Sequence, residues 1–152
     1  MEAAVFEKIL VPTDFSANAD AALRYAEAIA DRFGGSLHLL HVLEEPVLPG
    51  PLGTEVFLPD SQAIHEELQR DAERKLAERL PTPLRARLRG TTDIVVGPIA
   101  SSIVDHARTH QIDLIVVGTH SRTGVAHMLL GSVAESVVRK ASCPVLTVDG
   151  SR

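Results

Sequence analysis

The segment LIVVGTHSRTGVAHMLLGS, Leu114 to Ser132, decides the fold of this 152-residue chain. Its first four residues are an apolar run typical of a buried strand, a glycine-rich turn follows, and Val133 to Ala141 has the pattern of a helix. N–H groups at a helix N-terminus have no partner within the helix and attract anions. Glycine also lets a phosphate approach the backbone closely. We therefore predict that a nucleotide polyphosphate binds at Gly118, Gly131 and Ser132.

Outward from this segment, apolar runs alternate with amphipathic stretches, which predicts strands and helices in turn. The first helix is expected to have Ser16 or Asn18 as its N-cap and to end at Gly34-Gly35. The predicted strands are Lys8–Val11, Ser36–Leu43, Thr92–Val96, Asp113–Val117 and Pro144–Val148. Four helices are predicted. The first ends at Phe33, with Ala22, Tyr25, Ala26 and Ile29 inward, and the second extends from Ser61 to Leu80. The third extends from Pro98 to His110, with Ile103, Val104 and Ala107 inward, and the last has Val133, Val137 and Val138 as its apolar residues.

This regular pattern is interrupted by a long segment after the second strand and by two prolines, Pro81 and Pro83. Glu44 to Asp60 contains four prolines and two glycines, and a loop of this length is expected to be a functional lid or disordered. After it, Ser61 is the expected N-cap of a long helix, and Pro81 and Pro83 are expected to end that helix. Its apolar residues recur every four positions, which predicts a single buried stripe. The stripe consists of Ile64, Leu68, Ala72, Leu76 and Leu80.

Composition limits the class of protein. The chain is 45% hydrophobic but only 3% aromatic, so we predict one domain, residues 1–152, with an aliphatic core. A net charge of −5 argues against a nucleic-acid partner. No run reaches the ~18–20 apolar residues that span a bilayer, and the N-terminus lacks a signal-peptide pattern. The single cysteine, Cys143, fits a small apolar residue in a reducing cytoplasm.

Five strands alternating with about four helices predict an α/β fold with a parallel sheet covered on both faces. In such sheets, ligands bind beyond the carboxyl ends of the strands at the point where the strand order reverses. Three segments end strands there: Pro12-Thr13-Asp14, Val42 and Gly118. Their convergence strengthens the prediction of a nucleotide site.

The chain resembles the universal stress protein family over nearly its whole length, except the segment after strand two. The matching segments are ILVPTDFS (Ile9 to Ser16), LHLLHV (Leu37 to Val42), Val96 to His110, DLIVVGTH (Asp113 to His120) and LLGSVAESVVRKASCPVLTV (Leu129 to Val148). The ATP-binding branch has glycine, two residues, glycine, nine residues, then glycine with serine or threonine. Gly118, Gly131 and Ser132 match this spacing, whereas Ser121 replaces the second glycine. If that position needs positive φ, serine costs about 1–2 kcal/mol.

The resemblance implies a three-layer α/β/α, doubly wound five-stranded sheet in the order 3-2-1-4-5. It also implies that ATP, or ADP or AMP, binds with Mg²⁺ or Mn²⁺ held through the phosphates. Asp14, with Pro12 and Thr13, would accept ribose hydroxyl bonds, and the backbone of Val42 would recognise adenine. The remaining expected contacts are Val117 and Gly118 beside the ribose and phosphates, and Ser121, Arg122, Gly131, Ser132 and Val133 around the phosphates.

Several of these residues also have plainer interpretations. Asp14 could cap a helix or turn, Gly97 and Gly118 could be ordinary strand-end turns, and Ser132 could be the N-cap of the last helix. His106 and His110 have a metal-like spacing, but without an evident third ligand we expect a solvated or partner-facing pair. The expected structural residues are His38, His41 and Gly124, and Arg122 could be solvated. His120 and His127 flank the glycine-rich segment, and His120 could lie near the nucleotide.

Two classes of function follow. The first is a regulatory module of the stress response in which adenine-nucleotide occupancy alters the segment from Glu44 to Asp60 and hence the surface offered to an unidentified protein partner. The second is a nucleotide-independent interaction protein, which Ser121 favours. The chain has no identifiable general base, so at most slow ATP hydrolysis is expected. The apolar last strand, 144–148, is expected to pair two copies into a homodimer.

Overall fold

The computed structural model describes residues 6–45, 47–57, 61–120 and 130–151. Seven strands and five α-helices lie in these ranges, with one 3₁₀ turn at Pro51–Gly53. The strands are β1 (Lys8–Pro12), β2 (Ser36–Leu43), β3 (Val47–Pro49), β4 (Glu55–Phe57), β5 (Thr91–Val96), β6 (Leu114–Gly118) and β7 (Val145–Val148). The helices are α1 (Ala17–Phe33), α2 (Ser61–Arg79), α3 (Thr82–Arg87), α4 (Ile99–Thr109) and α5 (Ser132–Lys140).

Five strands form one parallel sheet in the order β5-β2-β1-β6-β7. The predicted order 3-2-1-4-5 is therefore confirmed, because β5, β6 and β7 are the third, fourth and fifth strands of this sheet. The central strands are short aliphatic runs, and β6 is buried from Leu114 through Val117. Strands covered on both faces need such runs, since neither face meets water.

Successive side chains of β1 point to opposite faces of the sheet and enter two separate cores. Ile9 packs with residues of α1 and α2, such as Ala22 and Leu76. Leu10 packs with residues of α4 and α5, such as Ile103 and Val137. The result is the three-layer arrangement that was predicted, with α1, α2 and α3 on one face and α4 and α5 on the other.

Helix α1 begins and ends at the expected signals. The Ser16 hydroxyl accepts a hydrogen bond from the backbone N–H of Ala19 at 3.2 Å, so Ser16, not Asn18, is the N-cap. Gly34 ends the helix with a φ of 69°, a left-handed conformation that glycine adopts without strain. The inward placement of Tyr25 was wrong, because this side chain is 58% exposed and Leu23 is buried instead.

The described residues of the segment from Glu44 to Asp60, which are 44–45 and 47–57, include regular structure where a functional lid or a disordered loop was expected. Within it, β3 and β4 pair as an antiparallel hairpin. Gly50 donates its N–H to the carbonyl of Thr54 at 2.7 Å, and Leu52 and Gly53 have positive φ angles of 62° and 75°. In a two-stranded sheet each strand is an edge, where proline costs no ladder hydrogen bond. The many prolines are therefore compatible with strand structure here.

The region of α2 and α3 differs from prediction in two ways. Only the second half of the apolar stripe is buried, because Ile64 is 38% and Leu68 41% exposed while Leu76 is 2% exposed. In addition, Ser61 is the first residue of α2, whereas it was expected to be the N-cap. A short helix, α3, follows with Pro81 as its N-cap. Proline in the first turn of a helix is favourable, so these prolines start α3 as well as ending α2.

The last helix and strand define one margin of the sheet. Helix α5 starts at Ser132, and of its apolar residues Val137 is fully buried whereas Val138 is 46% exposed. Strand β7 pairs with β6 and is terminal in the strand order. In the part of the chain that the structure describes, no helix has the length and apolar character needed to cross a membrane.

Candidate functional site

A pocket lies at the carboxyl ends of the strands, between β1 and β6, where the strand order of the sheet reverses. The three strand ends singled out in the sequence meet there, as expected for an open α/β sheet. A fourth element, α4, closes the pocket with two isoleucines. The lining residues are Pro12, Thr13, Asp14, Ala19, Leu40, His41, Val42, Ile99, Ile103, Val117, Gly118, Thr119, His120, Gly131, Val133 and Ala134.

The turn after β1 is held by hydrogen bonds that orient Asp14. Thr13 donates its N–H to the carbonyl of Leu40 at 2.8 Å, and its own carbonyl accepts a bond from Nδ1 of His41 at 2.7 Å. The Asp14 carboxylate accepts the N–H of Ser16 at 3.0 Å. Asp14 thus does belong to a turn, as the plainer interpretation held. It also lines the pocket, so the two roles coexist.

Phe15 occupies a strained position beside this turn. Its φ is 64°, in the left-handed region that bulky residues rarely adopt. Its ring lies 4.5 Å from the His41 ring, and Nη2 of Arg79 donates to its carbonyl at 3.1 Å. Arg79 also forms an ion pair with Asp20 at 2.6 Å. Helix α2 therefore clamps the turn that presents Asp14.

Gly118, at the end of β6, allows α1 to approach the sheet closely. A Cβ atom at this position would lie 2.9 Å from the backbone carbon of Asn18 and 3.0 Å from its Cβ. Both atoms belong to helix α1 and cannot move independently of it. Gly118 is therefore more than an ordinary strand-end turn, because a side chain there would push α1 away from the pocket.

The N-terminus of α5 faces the pocket but differs from prediction in detail. Gly131, not Ser132, is its N-cap, and no side chain caps the helix among the described residues. The N–H of Gly131 donates to the carbonyl of Thr119, so it is already engaged. Ser132 is exposed and is not part of the lining, whereas Val133 and Ala134 are. The anion-binding potential thus comes from the first-turn N–H groups of α5.

A model of the universal stress protein family matches residues 6–149. This chain belongs to that family. It is 33% identical to "Universal stress protein MJ0531" of Methanocaldococcus jannaschii over 95% of this chain and 82% of the relative. The structure of a universal stress protein UspA from Lactobacillus plantarum is 30% identical, with a TM-score of 0.77 over 96% of this chain and 99% of that one.

Two family structures contain adenine nucleotides. A universal stress protein from Archaeoglobus fulgidus, in complex with dAMP, is 25% identical with a TM-score of 0.64 and covers 96% of this chain and 100% of its own. A second universal stress protein, in complex with cAMP, is also 25% identical, with a TM-score of 0.62 and coverage of 97% and 100%. Adenine-nucleotide binding therefore occurs among structural neighbours of this family member.

The electrostatics of the pocket are mildly acidic. Among the described lining residues, Asp14 is the only side chain with a permanent charge. Burial lowers the pKa of His41, although its bond to Thr13 and the Asp14 charge oppose this. His120 lines the pocket, with Nδ1 3.0 Å from the Thr119 hydroxyl. The predicted contacts Ser121 and Arg122, and also Gly124 and His127, lie outside the described residues.

Sequence reasoning missed the apolar wall of the pocket and the part played by His41. Ile99 and Ile103 come from α4, which follows β5, and the carboxyl end of β5 lies at the same edge of the sheet as the other strand ends. Gly97-Pro98 marks that strand end in the sequence, so applying the strand-end rule once more would have included α4. The lining by His41 depends on the tertiary contact with Thr13 and has no sequence signal.

His106 and His110, which were expected to be a solvated or partner-facing pair, are not both solvated. His106 is only 9% exposed, and Asp93 of β5 lies beside both histidines as the third group that the sequence did not reveal. His38, in contrast, has ring nitrogens near the Ser36 and Thr91 hydroxyls, at 3.2 and 3.1 Å, as befits a structural residue. Cys143 is half-buried against the apolar core, and burial raises the pKa of its thiol.

Proposed function

We propose that this protein is a regulatory module that binds an adenine nucleotide, with ATP as the preferred ligand. The observation that carries the proposal is the pocket itself, with a carboxylate on one turn and, on another segment, a helix N-terminus that no side chain caps among residues 6–45, 47–57, 61–120 and 130–151. The apolar side chains of Leu40, Val42 and Ile103 suit a purine base. Asp14 would accept ribose hydroxyl bonds, since a carboxylate attracts hydroxyls and repels phosphate.

The phosphates would be bound mainly by α5 and by a metal ion. The described lining contains neither lysine nor arginine, so the side chains that line it supply no fixed positive charge there. The N-terminus of α5 carries a partial positive charge, and Mg²⁺ or Mn²⁺ would neutralise the phosphates. Arg122 is a further candidate from the sequence. We therefore expect removal of divalent ions to weaken ATP binding more than AMP binding.

We propose binding rather than efficient turnover. Phosphoryl transfer needs a cationic clamp on the transferring group as well as an oriented nucleophile. The described lining offers His41 and His120 but no cationic clamp. Nucleotide occupancy would instead shift the hairpin β3–β4 and change the surface offered to a protein partner. Ile64 and Leu68, which follow the hairpin in the chain, are exposed apolar residues that such a partner could contact. Such a shift requires different nucleotide affinities in the two states.

A thermal melt of nucleotide-free protein tests the proposal. ATP with Mg²⁺ at about 100 times its Kd should stabilise by about 2.7 kcal/mol, which raises the Tm by several degrees. Val133→Glu should abolish the shift because its carboxylate would repel the phosphates. The same charge should stabilise the N-terminus of α5, so the variant should stay folded. Val133→Gln is the matched neutral control and should retain most of the shift. A folded protein with no shift at millimolar ATP would favour the nucleotide-independent alternative.

That alternative has specific support. Ser121 replaces a glycine of the family's spacing, and the N–H of Gly131 is already bonded to Thr119. Under this alternative, Gly118, Gly131 and Ser132 only support the fold, and the pocket binds no nucleotide. A slow ATPase, the third possibility, would be revealed by phosphate release that depends on protein concentration.

We also propose that two chains associate through β7. This strand is terminal in the sheet, and Leu146 is 37% exposed on it. An apolar edge strand presents free N–H and carbonyl groups to a second copy. Sedimentation at micromolar concentration should show a dimer, and Leu146→Asp, at an exposed position of β7, should yield folded monomers. A wild-type monomer, or a Leu146→Asp dimer, would contradict this assignment.

A further inference from the structure

A second cluster of functional side chains lies at the opposite end of the sheet from the nucleotide pocket. His106 and His110 are one turn apart at the end of α4, and Asp93 lies near the start of β5. One ligand atom from each of the three residues lies within 4.8 Å of the other two. The imidazole centroids are 4.0 Å apart, and Nε2 of His106 is 3.7 Å from Oδ2 of Asp93.

The two histidines carry unsatisfied nitrogen atoms. Nε2 of His106 and Nε2 of His110 are both buried and have no hydrogen-bond partner among the described residues. The distance of 3.7 Å to Asp93 is too long for a hydrogen bond. Buried polar atoms in folded proteins are nearly always paired, so two unpaired imidazole nitrogens in a cluster with one carboxylate need an explanation.

We propose that Asp93, His106 and His110 bind a divalent transition-metal ion, with zinc as the best-suited ion. Two imidazoles and one carboxylate form a typical three-ligand zinc set, with a fourth position for water. Magnesium and calcium prefer oxygen ligands and would find only the carboxylate of Asp93. One ion would satisfy both orphan nitrogens at once.

The surroundings of the cluster suit metal binding. The Asp93 side chain is 45% exposed and gives the ion a route from solvent. His38 is nearby but bonded to hydroxyls, and the Lys8 ammonium donates to the carbonyl of His110 at 3.3 Å. The ion would tie α4 to β5, independently of any nucleotide.

The test is a zinc titration of chelator-stripped, nucleotide-free protein in competition with a chromogenic chelator. We expect one zinc per chain. Asp93→Asn and His110→Gln should each weaken binding by at least about tenfold, the effect of a strongly perturbed metal shell. His65→Gln, on α2, is the matched control and should bind like the wild type. Asp93 and His110 are the positions to replace, because both side chains are less buried than that of His106.

Cobalt(II) provides a second readout that needs no variant. Wild-type protein should give the intense visible absorption of a four-coordinate nitrogen and oxygen site, and zinc should abolish it. Four results would overturn the proposal. The first three are that zinc does not bind stoichiometrically, that His110→Gln binds zinc as tightly as the wild type, or that His65→Gln loses as much zinc affinity as His110→Gln. The fourth is a pale cobalt spectrum typical of six-coordinate cobalt.

Discussion

Replacing Ile115 with alanine should lower the free energy of unfolding by about 2–5 kcal/mol. Ile115 is fully buried in the middle of β6, in register with Leu10 of β1 and Val145 of β7. Truncation removes apolar contacts and leaves a cavity that the rigid central sheet cannot close. For a chain of this size, the Tm should fall by roughly 4–20 °C. Denaturant unfolding followed by circular dichroism measures both effects.

The control for this prediction is Val138→Ala on α5. Val138 is 46% exposed, so its truncation should change the free energy of unfolding by no more than about 0.5 kcal/mol. Similar losses at the two positions would mean that α5 is packed differently from the structure described above. A loss below about 1 kcal/mol at Ile115 would contradict its place in the sheet.

Replacing Asp14 with alanine should weaken ATP binding by roughly 10- to 150-fold. Hydrogen bonds to a charged group contribute about 1.5–3 kcal/mol, and each 1.4 kcal/mol is a factor of ten in Kd. The Asp14 carboxylate also accepts the N–H of Ser16, so alanine removes a turn contact too. Asp14→Asn keeps an acceptor for that bond while it removes the charge. Isothermal titration of both variants separates the two contributions.

A ligand without ribose hydroxyls makes the Asp14 test specific. Wild-type protein should bind ATP more tightly than 2′,3′-dideoxyATP, and this preference should vanish in Asp14→Ala. A purely structural Asp14 would weaken both ligands equally and leave their affinity ratio unchanged. The ratio therefore distinguishes ribose recognition from loss of the turn.

Local sequence patterns predicted the main sheet and much of the pocket. Short aliphatic runs mark β1, β2 and β6 because a parallel sheet covered on both faces requires them. The signals at Ser16 and Gly34 gave the bounds of α1 because capping depends on residues adjacent in the chain. Pro12, Val42 and Gly118 were predicted to meet, since parallel strands bring their carboxyl ends to one edge.

Other features depend on groups that are distant in sequence. Periodicity alone did not distinguish the buried half of α2 from the half that exposes Ile64 and Leu68, because that difference depends on which part of the helix packs against other elements. The hairpin β3–β4 was hidden by prolines that are tolerated only because both strands are edges.

What the sequence pattern by itself determined is therefore the parallel sheet and the turn residues around the candidate nucleotide pocket, whereas the strand order was implied by the resemblance to the family. Only the tertiary structure brought His41 against Thr13, engaged the N–H of Gly131 and set Asp93 beside His106. The physical reason is that strand and helix formation follows local periodicity and capping. A pairing between side chains on different elements is set by their packing and register, which no local pattern encodes.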